Sequence, residues 1–251
     1  MAKLSDIVKF CDERTRIHSV KDFPPAHNGL QIENNGTVTK IGAAVDAGLV
    51  PFEKAAAAGI DFLIVHHGVF WNPPVPITEH RYRKIKTAFD HNLAVYGSHL
   101  PLDCHPEIGN NAILAKKLGL EVDGGFVHYE GNDIAVTAPA TGDRAQLRAK
   151  LEELFPTSLT AIEEGPAEIK RIGILTGSGR SAIPELRANG IDTFITGELK
   201  QEHFNIAQEE GFNIYLGGHY ATETFGVCAL AEKVAAKFKL EWEFVSTMCP
   251  L

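Results

Sequence analysis

Apolar runs of strand length alternate with segments of helical periodicity along most of the chain. This alternation predicts an α/β fold, in which helices pack on a mainly parallel sheet. The first helix lies within MAKLSDIVKFCDERT. The predicted strands are residues 41–45, 62–65, 94–96, 134–137, 172–176, 193–196 and 213–216. The later predicted helices are residues 49–58, 81–91, 110–118, 143–155, 182–189, 202–210 and 222–238.

Two stretches of the chain follow the same pattern at an offset of 131 positions, which relates Ile41 to Ile172 and Gly59 to Gly190. In each, a strand leads through a glycine turn and a helix to Gly-Ile-Asp and a second strand. Ordinary α/β patterning can produce this agreement by chance. The alternative, which we favour, is two related α/β domains with a site in the crevice between them. We expect a discontinuous first domain, 1–124 plus 215–251, and a second domain, 125–214.

Composition narrows the class of protein only slightly. The net charge of −8 gives no reason to expect a nucleic-acid or membrane partner. Charged residues interrupt the apolar positions of the N-terminal helix, so we do not expect it to be an export signal. No apolar run reaches the roughly 20 residues of a membrane span. The four cysteines have no CxxC spacing, so neither a cysteine zinc site nor a disulfide framework is indicated. We therefore expect a cytoplasmic protein.

The first group of candidate chemical residues is the pair His66-His67, which directly follows the apolar strand 62–65. Sites in open α/β sheets lie at the carboxyl ends of strands. Adjacent residues that leave a strand point in different directions, so this pair suits one ligand to each of two ions better than chelation of one. The alternative is a polar edge of the fold.

The second group is His99-Leu-Pro-Leu-Asp103-Cys-His105, which follows the short strand 94–96. Because Pro101 disfavours a regular helix, we expect a loop here. Asp103 is the best ligand candidate, since a loop carboxylate can be aimed freely and balances the charge of a metal. His99 is a ligand, an orienting partner or a proton shuttle. His105, which precedes Pro106, is more consistent with a turn.

The third group, Gly217-Gly-His219-Tyr-Ala-Thr-Glu223, follows strand 213–216 and opens a helix. His219 and Glu223 lie four residues apart on one helix face, an arrangement that chelates metals, and a glutamate can bridge two ions. The alternative is a helix cap with Glu223 at the surface. Together the three strand ends supply nitrogen and oxygen ligands for Zn, Mn, Fe, Co or Ni.

Two weaker signals lie in the second half of the repeat. Gly177-Ser-Gly-Arg-Ser-Ala182 matches the G-x-G-x-x-A phosphate turn, although we favour a tight strand–helix turn as the explanation. Glu198 ends another predicted strand and is a candidate general base or orienting carboxylate.

These segments, together with HNGLQ at 27–31, VHHGVFW, SHLPLDCHPEIGNN, ITGEL and GGHYATE, resemble the YbgI/NIF-three-like family, also known as GTP cyclohydrolase 1 type 2 homologues. The resemblance covers essentially the whole chain. It implies two divalent metal ions per chain, an assembly of six identical chains as a toroidal trimer of dimers, and His99 and Glu198 as proton-transfer or orienting residues. The five ligands that it implies are His66, His67, Asp103, His219 and Glu223, with Glu223 as the bridge.

The resemblance leaves the function open between two classes. One is a metal-dependent hydrolase of a nucleotide-like small substrate, and the other is a non-catalytic metal-handling or regulatory protein. Ligand types alone do not separate these classes. A nucleic-acid-binding factor gains no support from the charge.

Overall fold

The computed structural model describes residues 1–24, 26–71 and 75–251, and the chain divides into two units. Unit 1 comprises Met1–Leu102 and Gly226–Met248, and unit 2 comprises Asp103–Phe225 and Cys249–Leu251. These bounds differ from the predicted ones at 124 and 214. Helix Asn110–Leu118 packs on strands of the second sheet, and strand Asn213–Leu216 is hydrogen-bonded within that sheet.

The elements are numbered in chain order. The strands are β1 Ala2–Lys3, β2 Gly29–Ile32, β3 Thr37–Val38, β4 Lys40–Asp46, β5 Phe62–His67, β6 Ala94–Gly97, β7 Gly124–Tyr129, β8 Asn132–Asp143, β9 Thr160–Glu163, β10 Glu168–Ser178, β11 Thr193–Glu198, β12 Asn213–Leu216 and β13 Glu241–Phe244. The helices are α1 Leu4–Thr15, α2 Leu49–Ala57, α3 Glu79–Asp90, α4 Leu100–Asp103, α5 Asn110–Leu118, α6 Arg144–Leu154, α7 Glu202–Glu210, α8 His219–Thr222 and α9 Thr224–Phe238, with a 3₁₀ helix at Arg180–Glu185.

Unit 1 is built on a five-stranded sheet in the order β13-β4-β5-β6-β2. The first four strands are parallel, and β2 pairs antiparallel with β6. Strands β4 to β6 are almost wholly buried, as expected for parallel strands covered on both faces. Because β5 and β6 are parallel neighbours, the residues that end them share one edge of the sheet. β1 and β3 form a separate antiparallel pair.

Unit 2 contains a mixed six-stranded sheet in the order β7-β8-β10-β11-β12-β9. Strands β10, β11 and β12 form its parallel centre, and antiparallel strands flank them. Its core includes Leu114, Leu151, Ile174, Ile195 and Tyr215. The carboxyl ends of the three parallel strands again meet at one edge, where β11 ends at Glu198 and β12 leads to His219.

The sequence repeat is also present in the strand register. In unit 1, β4 and β5 pair in parallel from Ile41 opposite Phe62, through four consecutive pairs. In unit 2, β10 and β11 pair in parallel from Ile172 opposite Thr193, also through four consecutive pairs. Both partners are displaced by the same 131 positions. The two halves therefore share a backbone arrangement as well as a sequence pattern.

The connection into the second strand of each repeat is equivalent as well. Gly59 and Gly190 both adopt the left-handed region, with φ of 71° and 67°, where a residue with a side chain is disfavoured. Two residues later, the amide of Asp61 donates to the carbonyl of Lys40, and that of Asp192 to the carbonyl of Arg171, at 3.2 Å in both cases. This detailed match favours a duplicated unit over chance patterning.

Three predicted elements differ from the structure. The stretch 99–103 was expected as a loop but contains helix α4, since Pro101 lies in the first turn, where no amide donor is required. The helix expected at 182–189 is instead the 3₁₀ helix, which contains Pro184. The long helix expected at 222–238 is interrupted at Glu223, between α8 and α9.

Two further observations concern membrane-spanning helices and the cysteines. None of the helices in the described part of the chain is long and apolar enough to cross a membrane. None of the four cysteines, all of which lie in described residues, forms a disulfide.

Candidate metal centre

Three histidines of unit 1 lie together at the carboxyl ends of β5 and β6. His66 and His67 end β5, and His99 follows β6. The ring centroids are 4.9 Å apart for His66 and His67 and 4.8 Å apart for His66 and His99. The three offer one ligand atom each, all within 4.8 Å of one another. His66 and His99 are buried, and His67 is half-buried. This cluster has the donor type and spacing of a metal site.

Each of these imidazoles is held through Nδ1. His66 Nδ1 lies 3.0 Å from the Ser98 carbonyl, which only accepts, so this nitrogen donates. His67 Nδ1 lies 2.8 Å from Asp46 Oδ1. A partner on Nδ1 fixes the ring orientation and leaves Nε2 as the nitrogen that coordinates. The ligand atoms of the cluster are therefore assigned to Nε2.

His99 has the most elaborate support of the three. Its Nδ1 lies 2.9 Å from Oδ1 of Asp22, whose other oxygen accepts from the Asn28 amide and the Leu100 backbone N–H. Asn28 also accepts from the backbone N–H of His99. Although burial acts to raise the pKa of Asp22, the hydrogen bonds from His99, Asn28 and the Phe23 amide lower it overall. Asp22 is thus held as a carboxylate against the ring of His99.

An aromatic side chain covers the same cluster. The indole of Trp71 lies nearly perpendicular to the His99 ring, with centroids 4.5 Å apart, and its centroid is 5.5 Å from that of His67. An apolar neighbour of this kind excludes water from one side of a polar cluster, which strengthens electrostatic interactions there.

In unit 2, His219 lies between two carboxylates. Its Nδ1 is 3.0 Å from Glu198 Oε1, and its Nε2 is 3.2 Å from Glu223 Oε1. Burial lowers the pKa of His219, but the hydrogen bonds and charges of Glu223 and Glu198 outweigh it and raise the pKa to about 9. The predicted pairing of His219 with Glu223 is therefore present, although Glu223 terminates one short helix and precedes the next.

Glu198 occupies the position in unit 2 that His67 occupies in unit 1, 131 residues earlier. The carbonyl of His67 accepts from the Ala47 amide at 2.8 Å, and that of Glu198 accepts from the Gly179 amide at 3.1 Å. A bulge between Leu175 and Ser178 adds the one residue by which these partners differ. The same strand end thus carries an imidazole in one half and a carboxylate in the other.

The Gly177 turn has a role that differs from phosphate binding. Gly177 has a φ of +67°, and a Cβ there would lie 2.1 Å from Glu223 Oε1 and 3.2 Å from His219 Nε2. Glycine is thus required both by the backbone and by the close approach of the Glu223 carboxylate. The helix that follows is a 3₁₀ helix of only six residues, Arg180–Glu185, so the resemblance of this stretch to a phosphate turn gains no structural support.

Asp103 ends α4 and is buried, with Oδ1 accepting from the Asn110 amide at 2.7 Å. Among residues 1–24, 26–71 and 75–251, no cluster of three or more donor atoms includes it, so its role as a ligand stays a prediction. His105 accepts the backbone N–H groups of Glu107 and Ile108 at Nδ1, as expected of a turn residue.

Sequence reasoning missed the carboxylates that hold the histidines. Asp46 lies at the end of a buried strand, as Glu198 does, so the same pattern could have predicted it. Asp22 follows no strand and lies 77 positions from His99. Only the HNGLQ motif pointed to this region, because its Asn28 hydrogen-bonds to both Asp22 and His99.

A two-unit α/β protein with clustered histidine and carboxylate donors at its strand ends is the class that fold and site define. Comparison with known families identifies it further, since residues 2–250 match the model of Duf34/NIF3 (NGG1p interacting factor 3). The chain belongs to this family, which confirms the resemblance of its motifs.

The similarity extends along the whole chain. Proteins named GTP cyclohydrolase 1 type 2 homolog are 37% identical in Deinococcus radiodurans, covering 96% of this chain and 92% of theirs, and 34% identical in Escherichia coli K12, covering 99% of both. The crystal structure of TTHA1606 from Thermus thermophilus has a TM-score of 0.89 at 38% identity and matches over 100% of both chains. The structure of protein ybgI has a TM-score of 0.91 at 32% identity, also over 100% of both chains.

Proposed function

We propose that this chain binds two divalent metal ions and uses them to hydrolyse a nucleotide-like small substrate. The observation that carries the proposal is the cluster of His66, His67 and His99, in which every Nδ1 has a partner and each ring presents Nε2 for metal binding or proton transfer. Imidazoles whose second nitrogen is held by a carboxylate or a backbone carbonyl are typical of metal ligands.

The donor chemistry fits a divalent transition metal. The described donors are imidazole nitrogens and carboxylate oxygens, which suit Zn, Mn, Fe, Co or Ni. Following the family resemblance, we propose that His66, His67, Asp103, His219 and Glu223 hold the two ions, with Glu223 as the bridge. Because His99 lies in the unit 1 cluster, it is either a sixth metal ligand or a residue that lies beside the ligands.

Divalent ions supply Lewis acidity, which lowers the pKa of water and polarises a carbonyl or phosphoryl group. The chain's own residues would orient the ligands and move protons. We propose that His99, backed by Asp22, and Glu198, hydrogen-bonded to His219, carry out proton transfer. In the metal-free protein, the proton on His219 is shared with two carboxylates and must leave before its nitrogen can coordinate.

The name of the relatives suggests GTP as the first substrate to test. Family membership alone does not establish turnover, since one fold hosts many chemistries. We also propose, from the resemblance, that six chains assemble as a trimer of dimers and that the protein works in the cytoplasm. Light scattering of the purified protein tests the assembly directly.

Metal analysis of the as-purified protein is the first experiment. We expect close to two equivalents of transition metal per chain and loss of most of it in Glu223→Ala. Glu232→Ala, which removes an exposed glutamate from α9, is the matched control and should retain the metal. Full retention in Glu223→Ala would contradict the bridging assignment.

Turnover is tested next with GTP and protein loaded separately with Zn, Mn, Fe, Co or Ni, and mass spectrometry detects a ring-opened or formylated product. No product with any metal would rule out the cyclohydrolase version of the proposal. Transfer of the metal from the protein to an acceptor, without turnover, would instead favour a metal-handling role.

A further inference from the structure

A cavity of about 860 Å³ opens in unit 1 beside the histidine cluster. Aromatic and aliphatic side chains form most of its walls, among them Phe70, Trp71 and Ile85. Cations lie on one side, where Arg81 and Lys84 project from helix α3. The volume lies within the range of roughly 300–1,000 Å³ that is usual for small-molecule sites.

Gln31 holds the walls of this cavity in place. Its Oε1 accepts from the backbone N–H of Val69 at 2.6 Å, and its Nε2 donates to the carbonyl of His27. The amide of His27 donates in turn to the carbonyl of Phe70. His27, Val69 and Phe70 all line the cavity, so one side-chain amide group fixes the loops on either side of it. Such a site is preorganised before a ligand arrives.

The two cations of the cavity have no carboxylate partner in the part of the chain that the structure describes. Lys84 is half-buried and donates to the carbonyl of Ala47, and Arg81 is exposed. Burial and the nearby charge of Arg81 lower the pKa of Lys84, because the two positive charges repel each other. An anion bound between them would relieve this repulsion.

The cavity is continuous with the candidate metal centre through one side chain. Trp71 lines the cavity and also lies nearly perpendicular to the His99 ring, at a centroid distance of 4.5 Å. A ligand that lies against Trp71 is therefore close to the imidazoles that the proposed function uses.

We propose that this cavity binds a planar aromatic anion of nucleotide size, with its ring against Phe70 and Trp71 and its phosphate or carboxylate at Arg81 and Lys84. Aromatic walls favour stacking of a planar ring, and paired cations favour a charged oxygen group. This inference rests on the proposed function, because it supplies the substrate subsite next to the metal ligands.

The chain provides its own fluorescent probe for the test. It contains two tryptophans, Trp71 in the cavity and Trp242 in β13. In a Trp242→Phe background, the remaining fluorescence reports on the cavity alone. The probes are 5′-GMP, 5′-UMP and nicotinate as aromatic anions of different size, with guanosine as an uncharged ring and inorganic phosphate as an anion without a ring.

We expect saturable quenching of Trp71 by at least one aromatic anion and clearly weaker binding of guanosine and of phosphate. The double variant Arg81→Gln/Lys84→Gln should weaken the anion at least about tenfold. The double variant Arg83→Gln/Lys86→Gln removes the same charge from the same helix outside the cavity and should bind normally. Equal binding by both double variants, or quenching by none of the three anions, overturns the proposal.

Failure of this subsite is distinguishable from failure of the proposed function, because metal content is measured on the same samples. Retained metal without aromatic-anion binding overturns only the subsite. Binding of the anion to protein that never holds metal overturns only the metal function. If the cation variants change the oligomeric state but not anion binding, the cavity is a subunit contact and the proposal is wrong.

Discussion

Asp22 and His99 lie 77 positions apart in the sequence and meet at 2.9 Å, carboxylate oxygen to imidazole Nδ1. The carboxylate is almost completely buried, with 4% of its side chain exposed. It also accepts hydrogen bonds from Asn28 and Leu100, so its position is set by several elements of unit 1. Because this contact occupies Nδ1, Nε2 is the nitrogen that His99 presents for binding or proton transfer.

Substitution of Asp22 should therefore weaken the metal centre without unfolding the protein. In Asp22→Asn the amide no longer favours one orientation of His99, and we expect metal affinity or activity to fall about 10–100-fold. Competition with a chromogenic chelator measures the affinity. Asp133→Asn is the matched control, since it breaks an exposed carboxylate–imidazole contact with His128 at 3.2 Å. An equal effect of the two substitutions would contradict a specific role for Asp22.

Gly177→Ala should expel the Glu223 carboxylate from its position. The new methyl group would lie 2.1 Å from Glu223 Oε1, in addition to the strain at a φ of +67°. Gly190→Ala isolates that strain, because Gly190 has the same φ and its nearest neighbour, Arg171 Cδ, lies 3.9 Å away. Both variants should lose about 1–2 kcal/mol of stability from the backbone.

Only Gly177→Ala should also lose metal, measured by elemental analysis of folded protein. If Gly190→Ala loses as much metal as Gly177→Ala, backbone strain rather than the approach of Glu223 explains the requirement for glycine.

The stability of the metal-free protein should depend on the charge of His219. Its pKa is raised from 6.5 to about 9 by Glu223 and Glu198, so protonation stabilises the folded state. This contribution is fully present below pH 6.5 and is lost as the pH rises through about 9. We expect the free energies of unfolding of the wild type and His219→Gln to approach each other as the pH rises from about 6 to about 10. Urea unfolding in the presence of a chelator measures both. A constant difference between the two proteins across this range would contradict the assignment.

The duplicated units should share a packing requirement. A Cβ at Gly42 would lie 2.9 Å from Ile60 Cδ1, and a Cβ at Gly173, 131 positions later, would lie 2.8 Å from Ile191 Cδ1. Alanine at either glycine should cost about 1–3 kcal/mol through overpacking. Adding Ile191→Val to Gly173→Ala removes the crowded methyl group and should restore part of the stability, measured by chemical denaturation. No recovery would mean that another contact limits the site.

The sequence predicts the strand interiors well and the short elements poorly. Strands such as Phe62–His67 are buried on both faces, so an apolar run identifies them. Helix α4 was missed because Pro101 was weighed as a helix breaker rather than as a first-turn residue. Local pattern does not show whether four residues form a turn or a helix.

The candidate site follows the same division. His66, His67, His219 and Glu223 were accessible from their positions after strands. The support of His99 by Asp22 was not, because it depends on how a segment without regular structure folds back over the end of β6. Contacts of that kind depend on tertiary packing and produce no periodic pattern in the sequence.

The shared register of β4–β5 and β10–β11 bears on how the chain changes over evolutionary time. When two units have the same backbone arrangement, the residues at the strand ends, which face solvent or a ligand, can differ between them. The paired residues inside each sheet are constrained by packing. His67 and Glu198 are the outcome at one such position, an imidazole in one copy and a carboxylate in the other. Exchanging the two residues, as His67→Glu with Glu198→His, would move donors between equivalent positions of the two units. The tolerance of that exchange would measure how far the halves have become specialised.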